Sequence, residues 1–308
     1  MPTIPPPPGE LVDVGGYRLH LQRQGRGSPP VVLEAALGDC SLSWALVQPK
    51  VASFTTVYSY DRAGLAWSDT GPYPRTAGAM VAELHDLLRT AAVELPVVLA
   101  AHSFGGLVAR LHAHLHPDDV VGLVLVDAAH EDQDRNAPAA LQPLLAMSHT
   151  ADELRQMPLS VPPGLPPDVT ATYQALITAN HAVEGFVAET MALEDSRAEL
   201  RDAGITTLGA IPLIAVRHGV PLSFPPEMGI PPEAQKEYEA TWQRHQSGFA
   251  ALSSAGQVRV AHNAGHMIPH EAPDVVVAAI RDVVEKVRGH GSAARRPRRP
   301  SARHAGRG

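Results

Sequence analysis

A serine at the centre of a short motif has the setting of a catalytic nucleophile. Ser103 follows an apolar run at 97–101 and precedes a helix-forming segment, with Ala101 two residues before it and Gly105 two residues after it. Small residues at these positions permit a sharp strand-to-helix turn that projects the serine hydroxyl above a sheet. An ordinary helix N-cap serine shares the motif, so Ser103 indicates catalysis only if the chain supplies partners.

The first partner that a nucleophilic serine needs is a base. A serine hydroxyl is a poor nucleophile at neutral pH unless a histidine accepts its proton and a carboxylate holds that histidine in one tautomer. Of the 16 histidines, His266 stands in a Gly-His turn between the last predicted strand and the last predicted helix. We predict that His266 is the base. His270 is the nearest alternative and is interpreted as a surface residue.

The carboxylate has more than one candidate. Asp127 directly follows the strand at 120–126, where it could orient His266 or cap the next segment. Glu227 lies in a later loop and is the alternative. Glu131 and Asp132 are weaker candidates. Asp127 is our prediction.

Acyl transfer also needs two backbone amides that bind the developing oxyanion. The amide of Phe104 comes with the turn at Ser103. The second donor is expected in the small-residue loop at 35–38, and we predict the amide of Leu37.

The elements that position these residues alternate between strand and helix. We predict a hairpin at 10–22, a strand from Val31 that runs into the small-residue loop at 35–38, strands at 54–60, 97–101, 120–126, 211–216 and 258–261, and helices at 76–93, 231–254 and 274–287. This alternation predicts an α/β fold with a mostly parallel twisted sheet flanked by helices and a ligand site at the carboxyl ends of the strands. Ser103, Asp127 and His266 each follow a strand end.

The segments differ in composition, which suggests their boundaries. Residues 1–9 are a proline-rich lead-in, 10–127 and 205–287 form the α/β core, 128–204 form an inserted helical cap, and 288–308 form a disordered basic tail. Within the cap, helical patches are predicted at 139–147, 151–157 and 168–201. An apolar pocket could be lined by four large side chains, Trp67, Met147, Phe186 and Trp242.

Charge and composition exclude several classes of partner. The net charge is -7, but seven arginines and no acidic residue lie from Arg288 onward, which leaves -14 for residues 1–287. The strongly negative charge of residues 1–287 disfavours nucleic acid as a partner, because contacts with phosphates need clustered Lys and Arg. Cys40 is the only cysteine, and the sequence shows neither a signal peptide nor an apolar stretch that could span a membrane. We expect a cytoplasmic protein with a small-molecule substrate, no membrane partner and an oligomeric state that the sequence leaves open.

The chain resembles members of the α/β-hydrolase superfamily across residues 10–287. The resemblance rests on AHSFGG at 101–106, the Gly265-His266 turn, and YDRAGLAWS at 60–68, which is similar to the D-x-x-G-x-x-x-S loop of capped members. In many members the acid follows the strand after the cap, but here that strand ends in Arg217-His218-Gly219. Other members carry the acid at the position of Asp127. A serine at the nucleophile position argues against epoxide hydrolases and haloalkane dehalogenases, which carry aspartate there.

The resemblance implies an esterase-like serine hydrolase with a helical cap, acting on an uncharged, ester-like substrate without metal or organic cofactor. The alternatives are a non-catalytic binding protein, an acyltransferase and a cofactor-free haloperoxidase, since one fold serves many functions. His112 and His116 have the i, i+4 spacing of a metal-binding pair. Because no glutamate follows His112, we interpret both as ordinary helix residues and expect no metal site.

Overall fold

An eight-stranded sheet forms the centre of the computed structural model, which describes residues 4–145, 150–156 and 161–294. The strands are β1 (Glu10–Asp13), β2 (Arg18–Gln24), β3 (Val31–Glu34), β4 (Val57–Tyr60), β5 (Val97–His102), β6 (Val120–Val126), β7 (Leu213–His218) and β8 (Gly256–Ala261). Their order across the sheet is β1-β2-β4-β3-β5-β6-β7-β8. The β1–β2 and β2–β4 pairs are antiparallel and the other pairs are parallel. The prediction of a mostly parallel α/β sheet is confirmed.

Helices cover both faces of this sheet. They are α1 (Gln48–Ala52), α2 (Ala77–Thr90), α3 (Gly105–Leu115), α4 (Gln142–Leu145), α5 (Ala151–Gln156), α6 (Pro167–Ile177), α7 (Asn180–Met191), α8 (Leu193–Ala203), α9 (Pro232–Phe249), α10 (Ile268–Glu271) and α11 (Pro273–Ala294). α2 begins where the Thr76 hydroxyl accepts a hydrogen bond from the Ala79 amide. Within the described residues, no helix combines the length and the apolar character that crossing a membrane requires.

The central strand β5 shows how the layers pack. Leu99 and Ala101 pack among side chains of α2 and α3, whereas Val98 and Ala100 pack among those of α1 and α11. A strand that is covered on both faces needs apolar residues at every position, not at alternate positions. This is why β5 reads as an unbroken apolar run in the sequence. The two covering layers fix the strand ends that carry the candidate site.

The chain between β6 and β7 leaves the sheet. The described part of 128–204 holds α4 to α8 and turns, with no strand, and α8 ends at Gly204 in the left-handed conformation with φ 55°. The ends of two predicted helical patches, at 147 and 157, lie outside the described residues. This helical segment lies over the carboxyl edge of the sheet, where residues from α5, α6 and α7 border a cavity at Ser103.

Most predicted elements differ from the observed ones by a few residues at their ends; for example, the helix predicted at 231–254 runs over Pro232–Phe249. The strand predicted at 54–60 begins only at Val57, because the amides of Phe54 and Thr55 donate to the Val51 carbonyl and close the turn after α1. The last helix extends to Ala294, so residues 288–294 are helical and the disordered tail predicted from 288 is corrected there. Arg288 fixes this extension by donating to the Ser28 carbonyl at 2.8 Å. Residues 295–308 of that predicted tail lie outside the described residues.

Candidate active site

Ser103 occupies a strained turn between β5 and α3. Its φ is 52°, in the left-handed region that residues with a Cβ rarely adopt. Two hydrogen bonds hold it there, since its N–H donates to the Val126 carbonyl at 3.1 Å and its own carbonyl accepts from the Ala129 amide at 2.8 Å. A Cβ at Gly105 would lie 2.6 Å from the Ala35 carbonyl oxygen, so only glycine fits there. The surrounding backbone therefore imposes the predicted sharp turn.

The structure brings Ser103, His266 and Asp127 together at the carboxyl edge of the sheet. His266 Nε2 lies 2.9 Å from Ser103 Oγ, and His266 Nδ1 lies 2.7 Å from Asp127 Oδ2. When Nδ1–H donates to the carboxylate, Nε2 is left free to accept the serine proton. Asp127 is fully buried, whereas the side chain of His266 is 29% exposed. The arrangement can therefore deprotonate an attacking serine at a position that a substrate can reach.

The other candidate acids lie elsewhere. Glu227 is exposed in a short turn after β7, and Glu131 pairs with Arg110 at 2.7 Å. Asp132 is half-buried, and its amide donates to the ring of His130.

His270, the alternative base, lies on α10 and is only 5% exposed, so its interpretation as a surface residue was wrong. Burial lowers the pKa of His270 to about 4 and keeps this imidazole neutral.

A second histidine binds the same carboxylate from the opposite side to His266. His218 Nδ1 lies 2.9 and 2.8 Å from the two oxygens of Asp127, and His218 Nε2 lies 2.9 Å from Glu239 Oε1. Since each ring nitrogen faces a carboxylate, both nitrogens serve as N–H donors, which makes the ring an imidazolium. Burial opposes this charge, but the hydrogen bonds to Asp127 and Glu239 raise the pKa of His218 to about 9. His218 is therefore protonated at neutral pH.

These contacts determine the charge of Asp127. Burial by itself would raise its pKa, but the hydrogen bonds from His218 and His266 outweigh burial and hold the pKa well below its usual range. Trp242 Nε1–H adds a third side-chain donor, 3.1 Å from Asp127 Oδ1. Asp127 therefore remains a carboxylate at any physiological pH, and its two oxygens have fixed directions.

His102, directly before the nucleophile, positions the loop that carries His266. Its Nε2–H donates to the His266 carbonyl oxygen at 2.9 Å. Burial, together with the neighbouring His266 ring, lowers the pKa of His102 to about 3, so it is neutral. His102 thus joins the end of β5 to the loop after β8.

The loop at 35–38 lies beside Ser103. Leu37 and Phe104 border one cavity together with Ser103. Among the described residues, no group accepts a hydrogen bond from the amide of Leu37 or from that of Phe104, whereas the Gly38 amide donates to Glu189 Oε2 at 2.7 Å. Both predicted oxyanion donors are therefore available to a ligand, and Gly38 is not.

Arg62 fixes the position of this loop. Its guanidinium donates to the carbonyls of Ala35 and Ala36 at 2.9 and 2.6 Å. The same group pairs with Glu34 at 2.6 Å and with Glu189 on α7 at 2.7 Å. All three charged side chains are almost fully buried. The loop is thereby held by the core of the sheet on one side and by the helical segment on the other.

Two cavities of about 320 Å³ each meet at Ser103 and His266. The side chains that border the first include Leu154, Tyr173, Ile177, Val183 and Phe186. The side chains that border the second include Arg197, Leu222, Phe224, Tyr238 and Trp242.

Of the four residues expected to line an apolar pocket, two border these cavities. They are Phe186 and Trp242. Trp67 instead donates to the Pro5 carbonyl at 2.9 Å, and Met147 lies outside the described residues.

The sequence model of the alpha/beta hydrolase family matches residues 25–279. The chain belongs to this family. The alpha/beta hydrolase is 26% identical over 273 residues to an uncharacterized protein of Bacillus subtilis, YqjL, a match that covers 88% of this chain and 89% of that protein. It is 25% identical over 288 residues to an AB hydrolase superfamily protein of Gibberella zeae, with 84% and 87% covered.

Solved alpha/beta hydrolases with the same fold differ in their reactions. An esterase from Thermogutta terrifontis is 22% identical, with a TM-score of 0.61 over 88% of this chain and 94% of that one. A variant epoxide hydrolase from Vigna radiata is 19% identical, with a TM-score of 0.64 over 90% and 98%. At these identities the likeness shows the fold alone, so the reaction has to be argued from the site.

His218 and Glu239 are site residues that sequence reasoning missed. The sequence shows that His218 occupies the place after β7 where many alpha/beta hydrolases carry the acid, but not that this histidine binds Asp127. The available signal is topological, since β6 and β7 are parallel neighbours whose carboxyl ends meet. Glu239 gives no such signal, because it reaches the site from the middle of α9.

Proposed function

We propose that this alpha/beta hydrolase is a serine hydrolase that cleaves a carboxylic ester or a related acyl bond through an acyl-enzyme. One observation carries the proposal: the relay from Ser103 Oγ through His266 to Asp127, with contacts of 2.9 and 2.7 Å, stands where the two cavities meet. A substrate carbonyl at that junction would have the nucleophile, the base and free backbone amides around it.

The proposed reaction uses each group in turn. Ser103 Oγ attacks the carbonyl carbon while its proton passes to His266 Nε2, and the amides of Phe104 and Leu37 stabilise the oxyanion. The alcohol then leaves with the proton from His266, and the acyl group stays on Ser103. Water attacks the acyl-enzyme and gives a proton to His266, and His266 returns this proton to Ser103 Oγ as the carboxylic acid leaves. Asp127 stabilises the imidazolium that forms in both halves of the reaction.

The cavities suggest the size and polarity of the substrate. Each measures about 320 Å³, near the lower end of the range of roughly 300–1,000 Å³ for ligand pockets. The first is bordered mainly by aliphatic and aromatic side chains, and the second adds Arg197 and Gln133 to an aromatic wall. A small or medium substrate with a largely apolar group on each side of its carbonyl fits both. No step of this reaction needs a metal or an organic cofactor.

The first test is turnover of p-nitrophenyl esters of increasing chain length. Replacing Ser103 with alanine should lower kcat by at least about 10³-fold, because the nucleophile is lost while the oxyanion donors remain. Ser254→Ala is the matched control, since Ser254 is exposed on the loop before β8 and should leave kcat unchanged. Equal turnover by the wild type and Ser103→Ala would overturn the proposal.

Labelling and product analysis separate the alternatives. A fluorophosphonate probe should label the wild type at Ser103 and should not label Ser103→Ala. Ligand binding without labelling or turnover would favour a non-catalytic binding protein. An acylated acceptor in place of the free acid would favour an acyltransferase, which uses the same relay.

A further inference from the structure

A cluster of metal-binding side chains lies at the opposite end of α3 from Ser103. His85 comes from α2, His116 follows the last residue of α3, and Asp119 lies in the turn before β6. One ligand atom from each of these three residues lies within 4.8 Å of the other two. Because α3 has 11 residues, the cluster is about 16 Å from the turn at Ser103.

The donor set is one that transition metals prefer, and side-chain rotation would bring its ligand atoms to the spacing of a metal site. The rings of His85 and His116 are stacked with their centres 4.0 Å apart, and His85 Nδ1 lies 2.9 Å from Asp119 Oδ2. Ligand atoms around a tetrahedral zinc ion lie about 3.3 Å apart, since each is about 2.0 Å from the metal. Both histidines are partly exposed, so rotation of their side chains can bring the nitrogens together.

A buried histidine beside the cluster independently indicates a missing ligand. His112 is 0% exposed, and neither of its ring nitrogens has a hydrogen-bond partner among the described residues. Its ring centre lies 5.0 Å from that of His116 and 6.4 Å from that of His85. Buried polar groups without partners are rare and costly in native proteins. A metal-bound water on this side of the cluster would supply a partner for one of the two nitrogens.

Arg89 is a positive charge that would compete with a metal ion for Asp119. Its guanidinium donates to Asp119 Oδ1 at 2.7 Å, whereas His85 faces the other oxygen, Oδ2. A metal ion between His85 Nδ1 and Oδ2 would replace their hydrogen bond, while Oδ1 keeps its contact with Arg89. The side chain of Arg89 is 57% exposed and can also move into solvent.

We propose that His85, His116 and Asp119 bind a Zn²⁺ ion, with a water molecule in the fourth position next to His112. The ion would link the C-terminal end of α3, the helix that follows Ser103, to α2 and so stabilise this layer of the fold. The proposal replaces the interpretation of His112 and His116 as ordinary helix residues and adds a metal where none was expected. It is independent of the proposed reaction, which uses no metal.

The test measures metal binding by the full chain after treatment with a chelator. We expect one Zn²⁺ per chain in competition with a chromogenic chelator, an increase in Tm on adding Zn²⁺, and the visible spectrum of tetrahedral Co²⁺ when cobalt replaces zinc. His116→Ala should weaken binding at least about 100-fold, more than the 10- to 100-fold typical of losing an outer-shell partner. His85→Ala should do the same from the surface of α2.

Three controls make the result decisive. His114 is exposed on the same helix, so His114→Ala should bind Zn²⁺ as tightly as the wild type. Arg89→Ala should bind equally or more tightly, because a competing cation is removed. Ser103→Ala should keep the site, which separates this proposal from the catalytic one. Equal affinity in the wild type, His85→Ala and His116→Ala would overturn it and leave an ion-pair cluster of Asp119 with Arg89 and His85.

Discussion

His218 places a positive charge against the carboxylate that orients His266. A cation at this position, taken alone, would weaken the attraction of Asp127 for the imidazolium that forms on His266 during the proposed reaction. Glu239 compensates, because it lies 2.9 Å from the other ring nitrogen of His218. Asp127, His218 and Glu239 together carry a net charge of -1, the charge of a single carboxylate. His266 therefore faces the same net charge that a lone aspartate would provide.

The assignment of the acid gives a prediction about two single substitutions. Asp127→Asn should lower kcat by about 10³- to 10⁴-fold, because an amide cannot hold His266 in the required tautomer or stabilise its charge. Glu227→Gln should change kcat by less than about twofold, since Glu227 is exposed in the turn after β7. Steady-state ester hydrolysis measures both. A large loss confined to Glu227→Gln would reverse the assignment.

Among the secondary-structure elements, α7 connects the helical segment at 128–204, to which it belongs, with the loop at 35–38. Glu189 on α7 binds the guanidinium of Arg62 and the Gly38 amide, and Arg62 binds the loop carbonyls. A displacement of α7 would therefore move the Leu37 amide relative to Ser103. The position of α7 is therefore linked to that of the proposed oxyanion donor at Leu37.

This link predicts a loss of activity from a substitution outside the relay. Glu189→Gln should lower kcat by about 10- to 100-fold with the fold intact, because small misplacements of catalytic groups are costly. Glu199→Gln is the matched control, since Glu199 on α8 also accepts a hydrogen bond from a half-buried glycine amide, that of Gly78, at 2.7 Å. The control should lower Tm slightly and leave kcat unchanged. Equal kcat values for the two variants would contradict the link.

Local patterns explain which elements could be predicted from the sequence. The apolar runs of β5 and β6, the small residues around Ser103 and the periodicity of α2 each lie within one short segment. The contacts of His218 with Asp127 and Glu239 join residues 91 and 21 positions apart, and Arg62 meets Glu189 across 127 positions. Such pairs depend on which strands are neighbours and on how a helix returns to the sheet. No local sequence pattern predicts strand neighbours or the return path of a helix.

For the molecule as a whole, His218 couples folding to pH. A histidine in the unfolded chain titrates near 6.5, whereas the carboxylates around His218 raise its pKa to about 9 in the folded protein. Between these values the folded protein keeps a proton that the unfolded chain has released, so the free energy of unfolding falls as pH rises. The stabilisation should be complete below about pH 6.5 and lost above about pH 9, with a difference of at most about 3 kcal/mol.

Denaturant unfolding at a series of pH values measures this coupling. Glu239→Gln removes one of the two carboxylates that raise the pKa of His218, so its stability should depend less on pH in this range. His262→Gln alters an exposed histidine and should keep the slope of the wild type. If the wild type and Glu239→Gln lost stability equally between pH 6.5 and pH 9, the source of the coupling would lie elsewhere.

The pairing of β6 with β7 has a consequence for recognising similar sites from sequence. Asp127 and His218 are held in contact by the pairing of these strands, and His266 reaches the sheet beside them. Because the carboxylate after β6 already lies within reach of His266, the position after β7 does not have to carry an acid, and a histidine occupies it here. A sequence search that requires an acid after β7 would therefore miss a chain with this arrangement.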